Sequence, residues 1–156
     1  MPLDEQTTGI ICKTIVAFLN YLGGNIYLGI KEDVEKKRTV VGVTITEQKK
    51  EELLTEIRTL CSKITPDIVL SKFYQVRFIP VCKISEKPVL GKYVVKITVQ
   101  MGNPKEVYHC MLKDGNRACF RTENEVLVRD PRYDLAKILE VQKLRCENPR
   151  KEKPEH

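Results

Sequence analysis

A chain of 156 residues and 18.0 kDa is long enough for one domain with its own core and too short for two ordinary ones. Its 42% hydrophobic and 31% charged residues lie in the globular range, which excludes wholesale disorder and a long coiled coil. The 27 Lys and Arg against 21 Asp and Glu leave a formal charge of +6, a balance that favours a polyanionic partner.

No apolar stretch reaches the roughly 18 to 20 residues of a membrane span, and no basic start precedes an apolar run at the N-terminus. A soluble intracellular protein without membrane contact, cytoplasmic or nuclear, is the expectation. The cysteines at 12, 61, 82, 110, 119 and 146 are not clustered at C-x-x-C spacing and read as reduced thiols. His109 and His156 are the only histidines, which argues against a His-based metal centre or a Ser-His-Asp triad.

In chain order, Ile11, Ile15, Phe18 and Leu22 recur at helical spacing behind Thr7 or Thr8 as N-cap, and Gly23-Gly24 ends that helix, with the positive φ of the tight reversal expected at Gly24. Asn25 to Ile30 then alternates as a strand and pairs, across the charged loop Lys31 to Arg38, with Thr39 to Val43 as a hairpin. Thr44 and Glu47 have capping-box spacing, and Leu53, Leu54, Ile57, Leu60, Cys61 and Ile64 form a second helical stripe that Pro66 stops. Gln75 to Cys82 and Lys92 to Gln100 read as two strands joined by a polar turn from Ser85 to Gly91. In the second of them, Tyr93, Val95, Ile97 and Val99 share one side.

Glu106 to Leu112 and Arg117 to Thr122 flank Asp114-Gly115, which predicts a type I′ hairpin with Cys110 opposite Cys119. A last amphipathic helix begins after Pro131, and Asn148-Pro149 ends it. These elements make one α+β domain over 1–147, mainly antiparallel with about three helices, followed by a disordered charged tail over 148–156.

The run Ile15-Val16-Ala17-Phe18-Leu19-Asn20, then Gly23-Gly24-Asn25-Ile26-Tyr27-Leu28-Gly29-Ile30, then Val40-Val41-Gly42-Val43, resembles the AlbA-like domain of the Schlafen family. There an A-F-x-N helix end runs through G-G into an I-G-V strand and a V-x-G strand. The resemblance extends to the aromatic-Arg segment Phe120-Arg121-Thr122 and covers about residues 10 to 140. It implies a nucleic-acid-handling fold, and some members look like metal-dependent endoribonucleases acting on tRNA-like RNA. Their site resembles three carboxylates, two from an E-x-x-x-x-E-x-K strand before the helix and one after the I-G-V strand, which together hold the divalent cation.

By that resemblance Glu32 and Asp33 stand at the third, catalytic position. Asp4 and Glu5 have neither the spacing nor the strand pattern of the other two, so the isolated chain is not expected to cleave RNA. No resident metal or cofactor is expected, and Mg²⁺ or Mn²⁺ would enter only with catalysis. The ATP-binding label the family has carried finds no G-x-x-x-x-G-K-[ST] here.

The basic residues put forward for phosphate contact are Lys31, Arg117, Arg121, Arg129, Arg132 and Lys143. Arg117, Cys119 and Arg121 share a strand parity, which places the two guanidinium groups on one face, roughly 13 Å apart. Tyr27, Tyr108 and Phe120 are candidates for base stacking, with packing the competing reading. The chain is therefore expected to be a Schlafen-like RNA-binding domain without nuclease activity, regulating or completing a partner in a homo- or hetero-oligomer. One alternative is an endoribonuclease whose acid set is completed elsewhere, and another is a protein-interaction module.

Overall fold

The computed structural model describes residues 3–70, 72–82, 88–112, 115–121, 126–129 and 143. Helix α1 spans Glu5–Leu19 and is capped by Asp4 rather than by Thr7 or Thr8. The Asp4 carboxylate accepts the Thr7 N–H at 2.7 Å, and that bond holds its ionisation below the ordinary aspartate value. The expected stripe of Ile11 and Ile15 is widened by Cys12, Val16, Ala17 and Leu19, all buried.

Behind Gly23, at φ +80°, come β1 (Gly24–Leu28), β2 (Ile30–Glu32), β3 (Arg38–Val40) and β4 (Val43–Thr44). The expected hairpin of 25–30 with 39–43 is therefore divided, and only Ile30–Glu32 pairs with Arg38–Val40. Two glycines cause the division. Gly29 at φ +99° and Gly42 at φ +73° lie backbone to backbone, where a Cβ on Gly29 would stand 3.1 Å from the Gly42 Cα. The Val41 and Gly42 N–H groups both donate to the Gly29 carbonyl, at 3.0 and 2.8 Å.

Helix α2, Glu47–Cys61, is capped by Thr46 and not Thr44, with the Lys49 N–H donating to the Thr46 hydroxyl at 3.2 Å. Leu53, Ile57, Leu60 and Cys61 are buried, whereas Leu54 faces outward. The helix ends before Pro66 can act, because the chain leaves it for β5 (Ile64–Thr65). The long strands β6 (Tyr74–Cys82) and β7 (Pro88–Val99) pair antiparallel as expected, and Val95, Ile97 and Val99 point into the core. Strand β7 begins at Pro88, so it includes residues assigned above to the turn.

Strands β8 (His109–Leu112), β9 (Gly115–Arg121) and β10 (Val126–Arg129) follow. The hairpin register differs from expectation: Gly115, at φ +115°, already pairs with Leu112, so Cys110 faces Arg117 and not Cys119. The glycine closes the ladder instead of sitting at the turn centre, which moves Cys119 to the diagonal position on the same face. Beyond 129 the predicted last helix and tail lie outside the described residues, Lys143 excepted. The sequence did not lead us to expect β5 or β10.

In the first sheet β7 is central, with β1 and β4 along one edge and β6 along the other. The second sheet runs β10-β9-β8-β5, and β2 with β3 forms a small third one. Every described strand pair is antiparallel, so the domain is α+β. One core joins α1, α2 and the inner sides of both larger sheets. On the first sheet Lys50 of α2 places its ammonium 4.0 Å from the Tyr93 ring centre and 3.0 Å from Glu47, fixing that helix over the inner face.

Asn20 joins the second sheet to the end of α1. It is buried, with its side-chain amide donating to the carbonyls of Tyr108 and Cys119 at 2.8 and 3.0 Å and accepting the Tyr108 N–H at 2.7 Å. The side chain thus spans to the sheet instead of capping the helix. Among the described residues no helix is long and apolar enough to cross a membrane.

Candidate nucleic-acid interface

The alternation of β1, β6 and β7 gives the first sheet two unlike faces. Residues of one parity, Ile26, Leu28, Val76, Phe78, Val95, Ile97 and Val99, pack on the helices. The other parity forms rows across the three strands. One row is Tyr27, Lys96 and Arg77, and its neighbour is Asn25, Thr98 and Gln75. Adjacent strands lie about 4.8 Å apart, so each row is a compact group.

Tyr27 is 44% exposed, and the Lys96 ammonium stands 6.0 Å from the centre of its ring. Thr98 donates to Asn25 at 2.9 Å, which orders the second row. Lys92 is exposed and of the same parity, but Val94, which lies between it and Lys96 on that side of β7, is buried, so Lys92 is set apart from the row.

This face is one-sided in charge. Strands β1, β6 and β7 contain no Asp or Glu at any position. Arg77 and Lys96 are direct cross-strand partners, an arrangement that opposes folding when nothing neutralises it. Among the described residues neither they nor Lys92 joins an ion pair. A face that carries uncompensated like charges beside an exposed aromatic ring is suited to a phosphate backbone with unpaired bases.

The residues put forward from the sequence are distributed differently. Lys31 is exposed on β2, opposite Thr39. Glu32 faces Arg38 at 3.9 Å, and the Asp33 carboxylate accepts the N–H groups of Glu35 and Lys37, both at 2.9 Å. Both acids therefore serve the hairpin and its tip. Among the described residues no group of three or more His, Cys, Asp or Glu is placed to hold a metal ion.

Arg117 is half-buried, its guanidinium folded against Gly115. The strand face it was expected to share with Arg121 is not a free stripe, because Cys119, which lies between them, is fully buried against Cys110. Arg121 and Arg129 occupy β9 and β10, with Arg129 opposite Ala118, while Lys143 is exposed and Arg132 lies outside the described residues. Of the aromatic candidates, Tyr108 is core, edge-on to Phe73 with its hydroxyl accepting the Asn103 N–H at 3.0 Å, and Tyr27 is at the surface.

Reasoning from sequence missed Arg77 and Lys96. The absence of acids from both long strands was the available signal, but only the register brings them beside Tyr27. No curated protein matches the chain. A model of the Schlafen, AlbA_2 family, whose fold supports a nucleic-acid-related domain, matches residues 2–132, and the chain belongs to that family.

Proposed function

We propose that this chain is an RNA-binding domain without nuclease activity of its own, and that it holds an unpaired strand across the open face of the first sheet. The observation that carries the reading is the Tyr27–Lys96–Arg77 row, with two cations that join no ion pair among the described residues beside an exposed tyrosine on strands free of acid. Phosphates would lie along Arg77 and Lys96, and a base would stack on Tyr27. The engagement of Asp33 in its turn and of Glu32 with Arg38 supports the absence of catalysis. Regulation or completion of a partner subunit is the corresponding role.

Arg77→Ala with Lys96→Ala is expected to weaken binding to a labelled single-stranded RNA. The slope of log affinity against log salt should shrink by about 0.7 for each phosphate that the variant no longer neutralises. Tyr27→Ala should weaken binding with no change in that slope, since stacking releases no counterions. Glu32→Ala with Asp33→Ala should leave affinity unchanged or slightly raised, because carboxylates repel phosphate. An interface on the second sheet would show the reverse pattern, with Arg117→Ala and Arg121→Ala changing the slope while the Arg77 and Lys96 variant does not. Cleavage of the RNA in Mg²⁺ or Mn²⁺ would overturn the non-catalytic half of the proposal.

A further inference from the structure

Strand β6 is the longest edge strand of the first sheet, and among the described residues its outer side carries no partner strand. One bond fixes which peptide groups face that side. The Gln100 N–H donates to the Phe73 carbonyl at 2.8 Å, and these residues stand opposite each other in the register that pairs Tyr74 with Val99. Bonded positions alternate along an antiparallel ladder, so the peptide groups of Gln75, Arg77 and Ile79 point to β7. Those of Tyr74, Val76, Phe78 and Pro80 point outward. Pro80 has no N–H to offer and the register shifts between it and Cys82, so the open edge is 74–78.

A groove of about 280 Å³ lies against the start of this edge. Its wall combines Leu54 and Arg58 of α2, Val69 and Lys72 of the loop before β6, and Tyr74 and Val76 of β6 itself. Arg58 and Lys72 are exposed, and among the described residues neither joins an ion pair and no acid lines the groove. Asp67, in the same loop, accepts the Val69 N–H on its carboxylate at 3.0 Å.

We propose that this edge takes up an extended acidic segment of a partner protein as an added strand, antiparallel to β6. Tyr74, Val76 and Phe78 each present an N–H and a carbonyl, and a strand residue opposite each of them exchanges both bonds. Opposite residues share a face of the sheet. The side chain opposite Val76 therefore enters the groove with Leu54 and Val69 and is apolar, while the one opposite Tyr74 enters with Arg58 and Lys72 and carries a carboxylate.

A second copy of this chain is the poorer occupant, because β6 contains no acid to bring to Arg58 and Lys72. A phosphate backbone is poorer too, since its oxygens only accept and cannot pair with the edge carbonyls. Neither cation belongs to the row assigned to RNA, so peptide binding and RNA binding are separable.

The probe is a fluorescein-labelled heptapeptide, Thr-Val-Thr-Val-Thr-Glu-Thr with blocked ends, whose fourth residue stands opposite Val76 and whose sixth stands opposite Tyr74. Fluorescence anisotropy with the full chain should show saturable binding. Methylating the amide nitrogen of the fourth residue, which faces β6, should abolish it, and methylating that of the fifth, which faces away, should leave it in place. Replacing the peptide's glutamate by lysine should weaken binding about tenfold or more, and Lys72→Gly with Arg58→Gln should do the same. Lys72 has φ +55°, which glycine adopts freely, and Arg58 is exposed, so the variant should fold, as circular dichroism would check. Absence of saturable binding, equal effects of the two methylations, or unchanged affinity in the double variant would overturn the proposal. So would a double variant that changes the salt dependence of RNA binding while the peptide fails to bind, which assigns the two cations to phosphate.

Discussion

Asn20→Leu is expected to destabilise the domain by about 4 kcal/mol or more, a large part of the stability of a small domain. The asparagine side chain mimics a peptide group. Its amide satisfies two carbonyls and its oxygen satisfies the Tyr108 N–H, so leucine, though similar in volume, leaves three backbone groups without partners in the core. Each such group costs about 1 to 3 kcal/mol, and neither Tyr108 nor Asn20 is exposed enough for water to substitute. Urea unfolding at neutral pH, monitored by circular dichroism, measures the loss. A change within 1 kcal/mol of wild type, on the order of an ordinary surface substitution, would show that the lead into β8 is held by other contacts.

The same residue shows what a sequence reading reaches and where it stops. Asn20 at a helix end before two glycines is legible as a boundary, and the boundary is where it was expected. Its side chain, however, acts on residues 88 and 99 positions away, a distance no local pattern encodes. Helix α2 and the alternation of β7 were legible because burial imposes its period on consecutive residues. The caps were displaced because Asp4 and Thr46 competed with equally good cap residues nearby, and the choice depends on where the chain enters the helix.

Register was the least legible property. Asp114-Gly115 has the composition of a turn centre, yet Gly115 takes its positive φ one place later, inside the ladder, and Cys119 moves by two residues relative to Cys110. Parity survives such a shift, so Arg117, Cys119 and Arg121 still alternate together. Which side of that strand is covered depends on where α1 lands, and Cys119 is covered. The candidate interface depends on register in the same way. Tyr27, Arg77 and Lys96 lie far apart along the chain, and none is unusual in its own neighbourhood. Pairing β1 and β6 to the same segment of β7 makes them one row.

Gly23→Ala is expected to cost about 3 to 5 kcal/mol, and Gly24→Ala only about 1 to 2 kcal/mol, although the two glycines are adjacent. The sequence assigns the tight reversal to Gly24. In the structure the positive φ belongs to Gly23, and a Cβ there would stand 2.4 Å from the Val99 carbonyl oxygen and 3.0 Å from the Met101 nitrogen. The Val99 carbonyl belongs to backbone held in place by the pairing of β1 with β7, which puts Gly24 opposite Val99, so it cannot retreat without breaking the sheet. At Gly24 the nearest atom, at 2.5 Å, is in the Phe18 ring, a partly buried side chain that can rotate away. Backbone strain adds to the first substitution and not to the second. Thermal unfolding of the two alanine variants side by side tests the assignment: Gly24→Ala melting below Gly23→Ala would place the reversal one residue later than the structure has it.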